Sequence, residues 1–328
     1  MIRKHFVVTL LLFFGYSVFA QYNKENPLTH TYSIVAMDTA TGEIGVAVQS
    51  HWFSVGTVVT WAESGVGAVA TQSFSNPAFG PQGLALLKSG LDAKTTLDAL
   101  LASDEGREYR QVGVIDASGL AVSHTGSKNI KEAGNLVGPY YSVQANLMEN
   151  ASVWPAMAKS FESSAGKPLA ERLILALEAA QAEGGDIRGK QSAAVLVVSG
   201  QPTGKSWIDR KVDLRVDDHE APLVEIRRLW KVHQAYEYMN QGDVAVEEGD
   251  FELAGKLYEQ AERMFPENLE MKYWHAINLA NTGLVEASLP LFKHVFAGDA
   301  RWKKLTPRLI ENGLLTVDER TLKTIMKQ

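Results

Sequence analysis

Apolar and polar positions change rhythm along the chain. From about residue 31 to 222, short apolar runs alternate with amphipathic stretches. Tyr32, Ile34, Val35 and Ala36 lead to a polar turn at Thr41 and Gly42, and Ile44, Val46, Ala47 and Val48 follow at once. This predicts two strands joined tightly. Further strands are predicted over residues 58–62, 66–71, 111–116 and 120–125, and the apolar run 193–198, bounded by polar turns, reads as a fully buried strand. Helical spacing predicts helices over 83–88, 93–102, 153–161 and 169–182; in the last, Leu169, Leu173, Ala176, Leu177 and Ala180 share one face. Strands, a helix pair, strands, a second helix pair and strands again suit a layered α+β fold with sheets inside and helices outside. A doubly wound parallel sheet would alternate strand and helix.

Beyond residue 222 the pattern is helical only, and 225–296 resembles itself at a spacing of 34 residues. Gly242, Ala254, Tyr258, Ala261 and Pro266 stand where a tetratricopeptide repeat has glycine, alanine, aromatic, alanine and proline. Ala276, Ser288, Phe292 and Val295 follow in a weaker copy, with Ala300 in place of the proline. Small residues let paired helices approach, aromatics fill the groove, and proline ends the helix. The expectation is an all-α tetratricopeptide-like domain over 223–328, entered by a linker and capped by a helix near 305–315; a generic array of helical hairpins is the alternative. With about two repeats, it is expected to dock on the preceding domain and to offer a surface to a protein partner.

The N-terminus has the grammar of an export signal over residues 1–20: basic Arg3 and Lys4, an apolar stretch over 6–14, and Val18-Phe19-Ala20 before Gln21. The apolar stretch is short for a bilayer span. The chain is therefore expected to be exported, periplasmic or secreted, with no membrane span after cleavage. Cysteine is absent from the 328 residues, which excludes thiolate catalysis, disulfides and a lipid-bearing cysteine. The formal charge of −6 becomes −8 once Arg3 and Lys4 leave with a signal that carries no acid. That balance speaks against a nucleic-acid partner.

Four motifs come in order: Thr31-Tyr32-Ser33-Ile34-Val35-Ala36 with Gly45-Val46-Ala47-Val48; Gly65-Val66-Gly67-Ala68-Val69-Ala70-Thr71-Gln72; Gly184-Gly185-Asp186-Ile187-Arg188-Gly189-Lys190-Gln191-Ser192-Ala193-Ala194; and Asp213-Leu214-Arg215-Val216-Asp217-Asp218-His219. Together they resemble the domain-of-unknown-function family 1028, which is grouped with the Ntn-hydrolase-like proteins. The resemblance spans about residues 31–229. It implies a four-layer αββα sandwich over 31–222, preceded by a short segment, 21–30. It implies no defined activity.

Thr31 is the candidate nucleophile. A threonine freed at a chain start carries hydroxyl and α-amine on one residue, and the amine, with a reference pKa of about 7.7–8.0, serves as base. Signal removal after Ala20 leaves residues 21–30 ahead of it, so a second cut between His30 and Thr31 is required; otherwise Thr31 simply opens a strand. Ser33, two positions on, shares its strand face and can donate to the reacting centre. His51 closes the second strand and suits proton transfer or packing. Amides of Gln72 and Asn76 are candidate oxyanion donors, although Asn76-Pro77 also reads as a turn. In the polar loop of Asp186, Arg188, Gln191 and Ser192, the choice is between binding a substrate carboxylate and a capping ion pair. Asp213, Asp217, Asp218 and His219 are weaker candidates for a hard cation, an acidic strand end being the alternative.

The sequence therefore points to an exported amidohydrolase acting on a small amide or short peptide without a cofactor. Its rival is a catalytically silent αββα module with a helical adaptor tail.

Overall fold

The computed structural model describes residues 27–328; the expected signal over 1–20 and residues 21–26 lie outside the described residues. The described chain is mixed α/β with antiparallel sheets, followed by a helical C-terminal region.

The described part opens with β1 (Leu28–Thr29), and His30 alone separates it from β2 (Thr31–Met37). β3 (Ile44–Ser50) returns antiparallel after a turn in which Gly42 takes φ 73°, a conformation that favours glycine. A single helical turn, α1 (Gly56–Val59), runs into β4 (Thr60–Glu63), and β5 (Gly67–Phe74) follows. Next come α2 (Phe79–Lys88), α3 (Ala93–Ala102), β6 (Arg110–Asp116), β7 (Ala121–Thr125), β8 (Gly134–Gly138) and β9 (Tyr141–Ala145). Then α4 (Val153–Ser163) and α5 (Leu169–Ala182) lead to β10 (Ser192–Val198), α6 (Ser206–Asp209) and β11 (Arg210–Val216).

Two sheets result. One has the order β1-β5-β6-β7 with β4 on β5, and the other runs β11-β10-β3-β2-β9-β8. Their facing sides share an apolar cluster including Val35, Val46, Val48, Ala68, Ala70, Ile115, Ala194 and Leu196. On the far side of the first sheet, Val69, Val112 and Val114 pack with Phe79, Leu87, Leu97 and Leu100 of α2 and α3. On the far side of the second, Tyr32, Ile34, Val143, Val195 and Val197 pack with Met157, Phe161, Leu173 and Leu177 of α4 and α5. Strands such as β2 therefore bury both faces, which sets their register firmly.

The strand expected over 58–62 begins instead as α1. Val55 and Val59, four residues apart, both enter the inter-sheet core, and that spacing is helical. α3 and α5 span the residues read from the sequence, with the Asp92 side chain capping α3 at the Thr95 nitrogen.

No linker separates the α/β part from the tail. α7 (Pro222–Glu247) starts at the expected boundary and continues unbroken, with proline in the first turn where its missing N–H costs nothing. Leu223, Ile226 and Trp230 belong to the core of α5 and the second sheet, whereas Ala235, Met239 and Ala245 pack with Ala254, Tyr258 and Ala261 of α8 (Phe251–Met264). Gly242 makes room for Tyr258: a Cβ there would lie 2.6 Å from the ring. α9 (Leu269–Asn281) and α10 (Val285–Gly298) form the next pair, closed over Tyr273, Ala276, Phe292 and Val295. The capping helix expected over 305–315 is divided into α11 (Ala300–Leu305) and α12 (Arg308–Glu311), and α13 (Glu319–Ile325) ends the chain's regular structure. Among the described residues no helix is long and apolar enough to cross a membrane.

Candidate active site

The facing sides of the two sheets are apolar along most of their length and polar at one end. β2 sends Thr31, Ser33 and Val35 to the inner side. In register with them stand Ser50 opposite Thr31 on β3, and Gln144 opposite Ser33 on β9. The other sheet supplies Gln72 from β5 and Gln111 from β6, which pair with each other. Thr31, Ser33, Ser50, Gln72, Gln111, Gln144 and Asn146 are all closed to solvent.

Amides lock this end. Gln111 Nε2 crosses between the sheets to the Ala145 carbonyl at 2.8 Å, and its Oε1 accepts from Gln72 Nε2 at 2.6 Å and Asn146 Nδ2 at 2.9 Å. The Thr31 carbonyl accepts from the Asn146 nitrogen at 3.0 Å, Gln72 Nε2 at 3.2 Å and Asn146 Nδ2 at 3.4 Å. Such a network fixes the backbone of Thr31. Ser33 Oγ, both amide atoms of Gln144 and Gln72 Oε1 have no hydrogen-bond partner among the described residues. Each orphaned buried group costs about 1–3 kcal/mol, so their grouping beside one threonine calls for a functional explanation.

Ahead of Thr31 the chain crosses between the sheets. Leu28 and Thr29 pair with Phe74 and Ser73 of β5, and Thr31 opens β2 in the other sheet. The Thr31 hydroxyl turns back and donates to the Thr29 carbonyl at 2.5 Å. The carbonyl of His30, which belongs to the peptide bond entering Thr31, accepts from Ser50 Oγ at 2.6 Å and from an Arg188 guanidinium nitrogen at 2.8 Å.

Arg188 is aimed by Asp186, whose carboxylate is fully buried while the arginine side chain is 30% exposed. Asp186 Oδ1 accepts from Arg188 N and Nε, each at 3.0 Å, and Oδ2 accepts from a terminal nitrogen of Arg188 at 2.7 Å and the His51 backbone nitrogen at 3.1 Å. His30 is buried, with Nδ1 2.8 Å from Asn146 Oδ1 and its ring edge-on to Phe74 at 5.3 Å. Burial pushes its pKa below the ordinary histidine value; Arg188 adds to that, while the Asn146 hydrogen bond and Asp186 oppose it.

The family of unknown function DUF1028 matches residues 31–226. The chain belongs to that family. A solved DUF1028 protein from Silicibacter pomeroyi is 29% identical, with a TM-score of 0.55, covering 61% of this chain and 88% of its own. Anbu, an ancestral β-subunit from Yersinia bercovieri, aligns at 13% identity and TM-score 0.31 over 67% of this chain and 97% of its own, a likeness too slight to bear weight. None of the curated proteins matches.

Within this DUF1028 chain the residues singled out from sequence are placed unevenly. Thr31, Ser33, Gln72, Asp186 and Arg188 come together. Gln72 holds the Thr31 carbonyl instead of standing ready as an oxyanion donor. His51 joins only through its backbone; its side chain is exposed beside Gly189. Asn76 serves as a turn residue: its Nδ2 donates to Asp104 and its Oδ1 accepts from the Ala78 nitrogen. Gln191 Nε2 donates to Asp218, and Ser192 Oγ donates to the Trp52 carbonyl and accepts from the Val55 nitrogen, so both organise the 51–55 loop and its surroundings.

At the acidic strand end, Asp217 accepts from Ser54 Oγ and pairs with Arg215, and His219 Nδ1 accepts from the Ala221 nitrogen; Asp213 pairs with Arg210. Among the described residues no group of three His, Cys, Asp or Glu side chains is set to hold a metal. Sequence reasoning assigned no site role to Ser50, Asn146, Gln111, Gln144 or the His30 side chain. For Ser50 a signal existed, since it ends the strand that returns alongside Thr31.

Proposed function

We propose that this protein is an exported amidohydrolase of the N-terminal-nucleophile kind. In this reading its α/β part is the four-layer αββα sandwich of that class, its tail is tetratricopeptide-like, and the form described here is the precursor. One observation carries the reading: the carbonyl just before Thr31, the residue that bears the hydroxyl, is gripped by Ser50 Oγ and the Asp186-aimed Arg188. Two donors on a single peptide carbonyl are what stabilises an oxyanion. The family match beginning at Thr31 supports the same position as the natural start.

Release would proceed by attack of Thr31 Oγ1 on the His30 carbonyl carbon. The bond to the Thr31 nitrogen breaks, and the hydroxyl proton passes to that nitrogen. Water then hydrolyses the His30 ester, leaving a His30 carboxylate and an α-amine on Thr31. In turnover that amine takes the hydroxyl proton, the hydroxyl attacks a substrate amide, and the proton goes to the departing amine. Water cleaves the resulting ester with the amine again as base. The orphaned Ser33 hydroxyl and Gln144 amide, on the same inner side, would then face substrate.

Thr31→Ala should abolish hydrolysis of an amide library, and Thr31→Ser should retain part of it, because serine keeps hydroxyl and amine and loses only a methyl. Full activity in Thr31→Ala would remove the mechanism. A second reading, an unprocessed binding module, is favoured by the pairing of β1 with β5, which makes residues 28 and 29 part of a sheet.

A further inference from the structure

We propose that the slot holding His30 is the acyl subsite of the enzyme, and that its substrates are peptides cleaved on the carboxyl side of histidine. This rests on the reading of Thr31 as nucleophile. Self-cleavage and turnover then pass through the same chemical species, an ester on Thr31 Oγ1. In the first case the acyl group is His30 with the chain before it; in the second it is the acyl part of the substrate. The oxygen, the carbonyl and its two donors are common to both, so the group on the acyl carbon occupies the same place.

That place has a definite chemistry. His30 is 4% exposed. Phe74 meets it edge-on, the two rings at 86°, and Phe74 is itself edge-on to Tyr109 at 5.5 Å. At the end of the slot stands Asn146 Oδ1, 2.8 Å from Nδ1. The amide cannot turn over without loss, because its Nδ2 is committed to Gln111 Oε1 and the Thr31 carbonyl. The slot therefore presents an acceptor and selects a flat ring that donates an N–H. A phenyl ring leaves that acceptor unpaired, a carboxylate meets oxygen with oxygen, and a lysine ammonium would give up its hydration in a buried slot with no opposite charge in hydrogen-bond contact. The lowered pKa of His30 agrees with a neutral ring in the slot.

The residues before His30 extend the recognition. Leu28 and Thr29 pair antiparallel with Phe74 and Ser73 at the edge of β5. After release of residues up to His30, that edge offers its backbone groups to an incoming strand, a mode that takes main chain of any sequence. The preferred substrate is thus a peptide with residues on the amino side of its histidine, not free histidinamide.

The test uses the self-processed full-length chain and N-acetyl-threonyl-Xaa aminocoumarin amides, with Xaa as His, Phe, Ala, Asp or Lys. The expected result is a kcat/KM for His at least about tenfold above Ala, the size of one hydrogen bond in a dry site. The His-to-Ala ratio should collapse in Asn146→Leu. Should that variant not fold, Phe74→Leu should lower the same ratio, and N-acetyl-threonyl-histidine should inhibit the unmodified chain more strongly than its alanine counterpart. Turnover that needs Thr31 but is equal across the panel, or prefers another residue, overturns the subsite and leaves the nucleophile standing. A chain that stays uncleaved and hydrolyses none of the amides overturns both.

Discussion

Thr31 is held from both sides: its own carbonyl by Gln72 and Asn146, the carbonyl before it by Ser50 and Arg188. The account gives these holders separable roles. Ser50→Ala should slow appearance of the Thr31 end by about a hundredfold, the usual cost of one oxyanion donor, while near-native circular dichroism shows the fold intact. An unchanged rate in time-resolved mass spectra would exclude Ser50 from the oxyanion site. Asp186→Asn should slow the same step through Arg188, since it weakens the ion pair that aims the guanidinium. Restoring the rate in Asp186→Glu would separate aiming from simple loss of fold. Thr31, Asp186 and Arg188 were legible because they sit in motifs. Gln111, Gln144 and Asn146 were not, and the reason is physical. In Tyr141-Ser142-Val143-Gln144-Ala145 apolar and polar residues alternate, a pattern that suits a face open to water; both faces are in fact buried, and the polar one meets the other sheet.

Helices were easier to read than strands. α3 and α5 carry a complete apolar stripe, and Asp92 marks where the former begins. β8 and β9 pair with each other as a hairpin, yet they escaped because Gly134, Gly138 and the left-handed Tyr140 (φ 64°) break the local pattern, and β9's other partner, β2, is far away in sequence. In the tail, α8 and α9 are clamped by Glu262, which accepts from His275 at 3.0 Å and pairs with Lys272 at 2.7 Å. These partners hold its carboxyl down to about 2, the His275 hydrogen bond contributing most. A depressed carboxyl pKa stabilises the fold fully above the unfolded value of about 4.3, and that contribution is lost as pH falls towards 2. Glu262→Gln should therefore lower tail stability by about 1 kcal/mol at pH 6, allowing for solvent screening. The difference from the unmodified chain should shrink steadily below pH 4 in paired thermal melts. A gap independent of pH would show that the clamp acts through shape alone.

α7 joins the two parts of the molecule, a continuity that the change of pattern at residue 222 does not reveal. Leu223, Ile226 and Trp230 complete the α/β core, and Arg227 pairs with Glu178 of α5 at 2.5 Å. A chain ending at residue 221 exposes apolar surface worth about 1.5–3 kcal/mol for each large side chain, a large part of the 5–15 kcal/mol that holds a typical domain. It should melt many degrees lower or not fold. A chain ending at residue 234 keeps those contacts and should still process at Thr31; failure of the longer truncation to fold would make the tail part of the same cooperative unit. The helical character of the tail was legible, and Gly242, Ala254, Tyr258 and Ala261 do lie where α7 and α8 pack closely. Processing itself is read by intact-mass spectrometry and N-terminal sequencing of the protein recovered from the cell that makes it. The account predicts a chain beginning at Thr31, and a precursor retaining residues before it when Thr31 is replaced by alanine. A mature protein that begins stably and entirely at Gln21 would contradict it.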